Sequence, residues 1–228
     1  RAIYSSSPDR GLPALLDMWP KIVEQVPDAT LHIYYGFSNW LKASQMSGDE
    51  QAQRLIAHLM HVSQNTPGVI FHDRINQKEL AREFMRSGVL LYPSWFSETS
   101  MIGAMEAQAG GCRIVASRLA ALRETIGDRG VLLEWEREWD APNGTEPMPE
   151  YKVQFIEAAV NAMKTPTEHA FATDHRTRPQ GITREELKQY ARDNFSLDTL
   201  ADEWDRMILS LVEEVSTDVV PKFRDVVI

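Results

Sequence analysis

The chain has 228 residues, with 24 Lys and Arg against 33 Asp and Glu, a formal net charge of −9. Its 43% hydrophobic and 25% charged residues are ordinary for a globular protein and exclude disorder as the main state. No apolar run approaches the ~18–20 residues that span a bilayer, the lone Cys112 excludes a disulfide framework or Cys-rich zinc site, and the acidic field argues against nucleic acid as a partner.

The chain opens Arg1-Ala2-Ile3-Tyr4, without Met and without a basic segment leading into an apolar one, and reads as a piece of a longer protein. Ala2-Ile3-Tyr4 predicts a strand. Leu12, Leu15, Leu16, Trp19, Ile22, Val23 and Val26 recur at helical spacing, with Pro20 expected to kink or weaken that helix. Thr30 to Tyr35 is a β-prone run, and Gly36 to Gly48 reads as a loop. Leu55, Ile56, Leu59, Met60 and Val62 mark a second helix, Val69 to His72 a third strand, and Leu80, Ala81, Phe84 and Met85 a third helix. Val89 to Tyr92 is a fourth strand, stopped by Pro93. A helix is expected from Ser97 to about Gly110, then strands at Ile114–Ala116 and Val131–Leu133 around a short helix ending at Gly127.

Strands alternating with helices, with strand cores apolar on both faces, predict an α/β fold. The expectation is a Rossmann-like, doubly wound parallel sheet of about six strands, helices on both faces, closed by C-terminal helices. Glu134 to Glu150 reads as an acidic surface loop and Lys164 to Gly181 as a polar one. Val153, Ile156, Ala159, Val160 and Met163 line a helix, and Thr183-Arg184-Glu185-Glu186 is a capping box opening another. Ser196 is expected to cap a last helix whose stripe from Leu197 to Val215 reads as a packing face, with a tail from Asp218.

Gly-x-Gly-x-x-Gly, Gly-x4-Gly-Lys-Ser/Thr and Gly-x-Ser-x-Gly are all absent, which removes the main sequence support for a dinucleotide dehydrogenase, a P-loop NTPase and an α/β-hydrolase. His58 and His61 are three apart on a helix but lack companion ligands, so a solvated face is the better reading.

The informative stretch is Pro93 to Ser117: strand end, polar turn, helix, strand. The turn follows a parallel strand, where open α/β sheets bind ligands. The amides of Thr99, Ser100, Met101 and Ile102 are expected to be the unpaired donors of the helix start, an anion site to which the dipole adds ~0.3–1 kcal/mol per charge. A diphosphate fits there. Glu106 is expected ~9 Å deeper, where its acceptor-only carboxylate suits a ribose diol, while Glu98 in the mouth suits hydroxyls of an attached sugar. The spacing of two acids by eight is weak by itself, since helix-start and helix-face charges produce it too.

Glu98 and Glu106, followed by Ala107-Gln108-Ala109-Gly110-Gly111-Cys112-Arg113-Ile114-Val115-Ala116-Ser117, resemble the Glu-x7-Glu motif of retaining GT-B glycosyltransferases of the group 1 (family 4) type. Leu122 to Ile126, Gly130 to Leu133, and Phe195-Ser196-Leu197 through Trp204 resemble further segments of that family. Ser7 to Leu12 is similar to its first loop, with Arg10 where the family carries a diphosphate-binding lysine and Ser6 where it usually carries an arginine. The turn Thr99-Ser100-Met101-Ile102 departs from the family's Pro/Gly-Phe-Gly-Leu.

The resemblance implies the C-terminal, nucleotide-sugar-binding domain over residues 1–228, with a βα core at 1–133, a loop and C-terminal helices at 134–228, and the N-terminal acceptor domain outside this sequence. It implies transfer of a hexose from a nucleoside-diphosphate sugar with retention, Glu98 as the catalytic residue, and Arg10, Glu98, Thr99, Ser100, Met101, Ile102 and Glu106 as donor-binding residues. His72, Asp73, Arg74 and Ile75 are expected to edge a base pocket, with Tyr35-Gly36-Phe37 on the same side. No cofactor or metal is expected, since Asp-x-Asp is absent and Arg10 with the helix start would neutralise a diphosphate. A cytoplasmic protein, peripherally membrane-associated at full length, is the corresponding expectation. A non-catalytic nucleotide-sugar or interaction domain, and a sugar-nucleotide epimerase of the same fold, stay open as alternatives.

Overall fold

The computed structural model describes residues 1–135, 147–171, 173 and 181–215, with the side chains of the last helix described as far as residue 211. Its centre is a six-stranded parallel sheet: β1 (Ala2–Ser5), β2 (Leu31–Tyr34), β3 (Val69–Asp73), β4 (Val89–Tyr92), β5 (Arg113–Ser117) and β6 (Val131–Leu133). The order is β3-β2-β1-β4-β5-β6, so the winding reverses between β1 and β4. That is the doubly wound arrangement the sequence predicts, and its reversal point is where such sheets open a crevice at the carboxyl ends of their strands.

The helices are α1 (Leu12–Gln25), α2 (Ser38–Ser47), α3 (Glu50–Asn65), α4 (Gln77–Arg86), α5 (Ile102–Ala109), α6 (Leu122–Ile126), α7 (Pro149–Lys164), α8 (Arg184–Phe195) and α9 (Leu197–Val215). α1 adjoins α3 and α7 in one layer, and α5 adjoins α4, α6 and α8 in the other. β1, β2, β4 and β5 are buried almost throughout because both faces are covered. Trp19 and Ile22 of α1 are fully enclosed, and the Trp19 indole donates to Pro67 O at 3.0 Å. Burying side chains of this size contributes ~1.5–3 kcal/mol each. Tyr151 and Phe155 bring α7 onto the same core. Cys112 is fully buried, and burial pushes its thiol up to about 12.

Four expectations need correction. β3 is an edge strand: Ile70 is 40% exposed, so it is not apolar-covered on both faces. Gly36 to Gly48 is not a loop, because α2 occupies most of it; its apolar pattern is thin, but Trp40 and Leu41 pack on the core and Gly48 closes the helix in the left-handed region. Pro20, expected to kink or weaken α1, lies inside it and faces solvent between the buried Trp19 and Ile22, and the helix continues through it to Gln25. The helix expected from Ser97 begins only at Ile102, since residues 97–101 are irregular, with a bend at Thr99, and Met101 is its N-cap without a side-chain capping bond.

The last correction concerns α9. Ser196 caps it, accepting from the Thr199 amide at 3.2 Å. Its stripe, however, is not packed: Leu197, Leu200, Trp204, Met207 and Leu211 are exposed. The reason is that α9 lies chiefly against α8, whose own buried residues, Leu187 and Ala191, belong to an element packed on α5. No helix among the described residues is long and apolar enough to cross a membrane. Most of the acidic and polar loops, and the tail from Asp218, lie outside the described residues.

Candidate functional site

Two loops meet at the winding reversal, the β1–α1 loop and the β4–α5 loop. Their approach is set by Gly11, whose φ of +105° lies in the left-handed region and where a Cβ would stand 2.2 Å from Pro93 O. Only glycine fits both constraints.

That closeness brings Arg10 onto Glu98. Arg10 Nη1 donates to Glu98 Oε1 and Oε2, each at 2.9 Å. The guanidinium also lies over the Phe96 ring, 3.9 Å from its centroid. Burial would lower the Arg10 pKa, but the bond to Glu98 and its charge outweigh that and raise it. Arg10 Nε is enclosed with no hydrogen-bond partner. Glu98 is only 8% exposed and also accepts from the Tyr92 hydroxyl at 2.6 Å. Since that hydroxyl has given its one proton to Glu98, Ser6 Oγ, 3.2 Å away, is the donor to Tyr92. Burial first, then the bond to Glu98, pushes the Tyr92 pKa far up, so it stays a donor.

Beside this pair stands the start of α5. Ala104 and Met105 amides return to Met101 O, while the amides of Thr99 to Gly103 meet no protein acceptor among the described residues. Thr99, Ser100 and Ile102 are exposed, whereas the Met101 side chain is buried in the core. Because the helix starts late, Glu106 sits four residues inside it, ~6 Å along the axis rather than ~9 Å. Glu106 is partly buried, its carboxyl pKa is raised by that burial, and it accepts from Gln77 Nε2 at the start of α4. Gly110 and Gly111 end α5: the Cys112 amide returns to Ala107 O at 2.7 Å and that of Gly111 to Gln108 O at 2.9 Å, with Gly111 at φ +68°.

The four residues expected at a base pocket do not act as one group. His72 stacks on Tyr34, with centroids 4.5 Å apart, and shares a 2.8 Å hydrogen bond with His32. His72 and Ile75 line a cavity of about 420 Å³ under α4, with Tyr34, Glu83 and Arg86. Asp73, the last residue of β3, and Arg74 after it are exposed; Asp73 has φ 57° and its carbonyl accepts from the Tyr35 amide at 3.3 Å. Tyr35 is exposed, and Phe37 is buried against Phe71. Among the described residues no group of three His, Cys, Asp or Glu side chains is placed to hold a metal ion.

Sequence reasoning missed Tyr92, Phe96, Ser6 as a donor, and Gln77. Tyr92 had a signal, a polar-tipped ring ending an apolar strand directly before the motif. Gln77 had none, because its partner is 29 residues away in sequence.

Comparison with known proteins bears on the same loops. Phosphatidyl-myo-inositol mannosyltransferase of Mycobacterium tuberculosis is 33% identical over 121 residues, 53% of this chain and 28% of that protein. The chain thus spans about a quarter of that relative. Two solved structures share the fold at 12% identity: an α,α-trehalose-phosphate synthase (UDP-forming) of Burkholderia vietnamiensis, with a TM-score of 0.62 over 92% of this chain and 45% of that one, and HepE of Anabaena in complex with UDP-glucose, with 0.59 over 94% and 49%. A family model described as glycosyl transferases group 1 matches residues 3–141, which include both loops, Arg10, Glu98 and Glu106. With more than half its length matched, sheet and crevice included, the chain belongs to the glycosyl transferases group 1 family.

Proposed function

We propose that this chain is the donor-binding half of a retaining glycosyltransferase that moves a hexose from a nucleoside-diphosphate sugar to an acceptor. The observation that carries the reading is the Arg10–Glu98 pair, set in the crevice beside the free amides that begin α5. A diphosphate meets those amides and the positive end of the helix dipole on one side. On the other side Arg10 has donors besides Nη1, and its part-exposed guanidinium suits phosphate oxygens. Glu98 is held as a carboxylate-bearing acceptor by Tyr92 and Arg10, where it can take hydroxyls of the sugar and stabilise positive charge developing at the anomeric carbon. Glu106 accepts from the ribose. The positive charge of Arg10 and the helix start makes a divalent metal unnecessary in this scheme, and the sequence lacks Asp-x-Asp.

The acceptor is assigned to a second, N-terminal domain, consistent with the chain's span of 28% of the mannosyltransferase relative. The proposal includes a cytoplasmic location and peripheral membrane association for the full-length protein, both following from the family resemblance. A non-catalytic donor-binding domain is the second reading, favoured by Ser6: it donates to Tyr92 and leaves Arg10 as the cation of that loop. Calorimetry with UDP, GDP and their nucleosides tests donor binding, with and without chelator. Product formation by the full-length parent separates the two readings. Failure of both nucleotides to bind would overturn both.

A further inference from the structure

A second cavity, of about 280 Å³, is bounded by the β1–α1 loop, α2, the start of α3 and the β4–α5 loop. Its walls include two indoles, Trp40 and Trp95, the apolar Leu55, and the polar Asp9, Asp49 and Gln51. Both indoles are part-buried, so their faces are only partly covered by protein. Asp49 uses one oxygen to cap α3, accepting from the Ala52 amide at 2.9 Å. Asp9 has a carboxylate oxygen shut from solvent with no hydrogen-bond partner, an arrangement that costs stability unless a donor is supplied.

Chemistry selects the ligand. The lining carries two carboxylates and no cation, which excludes phosphates and carboxylates. Flat aromatic faces take the C–H face of a ring, and acceptor-only carboxylates beside an amide take hydroxyl donors at its rim. We propose that this cavity is a subsite for a neutral saccharide ring, holding one sugar unit of an acceptor whose main site lies on the second, N-terminal domain. The connection to Glu98 is continuous: the Trp95 ring meets Phe96 edge-on at 6.1 Å, Phe96 lies 3.9 Å under the Arg10 guanidinium, and Arg10 bonds Glu98. As a saccharide site the cavity stands on its own lining; its role as acceptor subsite rests on the donor reading above.

The test uses the whole 228-residue chain, saturation-transfer NMR and the methyl glycosides of mannose, glucose, galactose and N-acetylglucosamine at millimolar concentration. The expected result is saturation of one face of at least one ring. Trp40→Ala and Trp95→Ala each weaken binding about tenfold, the equivalent of ~1.4 kcal/mol, while Trp95→Phe, which keeps a stacking ring, retains most of it. Thermal unfolding checks each variant, and Gln51→Ala, at an exposed position, gives a second reading if an indole variant fails to fold. GDP-mannose or UDP-glucose should bind together with the glycoside. Displacement of the glycoside by the nucleotide sugar would place the donor's own hexose there and overturn the acceptor role. No binding of any glycoside, unchanged binding in folded Trp40 and Trp95 variants, or binding of tetramethylammonium in place of sugars would overturn the subsite. Glycoside binding without nucleotide binding would remove the donor reading and support this one.

Discussion

Arg10 Nη1 stands 2.9 Å from both carboxylate oxygens of Glu98, so the loops after β1 and β4, 88 residues apart in sequence, are tied across the crevice by one ion pair. Glu98 is buried and Arg10 only part-buried, so the pair is anchored on the Glu98 side and adaptable on the other. Arg10→Ala should therefore weaken nucleoside diphosphate binding ten- to a hundredfold, the weight of a charge-assisted bond at ~1.5–3 kcal/mol, and leave nucleoside binding nearly unchanged. Calorimetry with UDP against uridine, and GDP against guanosine, measures the difference. An equal loss for both would show that Arg10 does not meet the phosphates.

Glu106→Gln should reduce nucleotide affinity ten- to a hundredfold, because an amide presents only one acceptor to a ribose diol. Burial raises the Glu106 pKa, and the acceptor is its ionised form. Affinity should accordingly increase as pH rises through that pKa and fall below it, with the slope removed in the Gln variant. Unchanged affinity on substitution would sink the assignment.

Gly11→Ala should destabilise the fold by ~1–3 kcal/mol, since the new Cβ would meet Pro93 O at 2.2 Å and φ is +105°. Urea unfolding reads the loss. The displaced loops should also lower nucleotide affinity, because Arg10 and Glu98 hang from them.

His32 should give the fold an acid-sensitive component. Burial, then the positive Arg1 and the neighbouring His72, pushes its pKa down to about 4 from 6.5. The folded state prefers the neutral ring, which shares one proton with His72 at 2.8 Å, while Tyr34, Arg1 and Glu83 form a hydrogen-bonded group beside it. This stability is fully present above the unfolded value of 6.5 and is lost as pH falls toward about 4. The thermal midpoint should drop across that window, and less steeply in His32→Asn, which keeps a hydrogen-bonding group without the titration. Parallel curves for the two proteins would contradict it.

The chain alone should bind donor weakly and transfer no sugar. Positioning an acceptor at the anomeric carbon can supply ~7–11 kcal/mol of the barrier, and closure against a second domain would shield the site from water. A product assay on this chain, alone and with the remaining part of the full-length protein added, measures it. Robust transfer by residues 1–228 alone would refute the two-domain reading.

The strand cores and the helical stripe of Leu15, Trp19 and Ile22 made the parallel α/β fold legible in the sequence, because burial on two faces imposes an apolar pattern whatever the partner. The Pro93–Ser117 stretch carried the family resemblance for a similar reason: strand, turn, helix start and Schellman stop are local. What the sequence alone determined was thus the family and the class of sheet, with Glu98, Glu106 and Arg10 as its candidate residues. Tertiary structure decided the rest. It moved the helix start to Ile102, gave Glu106 to Gln77, and buried Tyr92 against Glu98. It turned Gly36–Gly48 into a helix through two side chains finding the core, and left the α9 stripe without cover. Each of these depends on contacts between distant segments, which periodicity along one segment cannot encode.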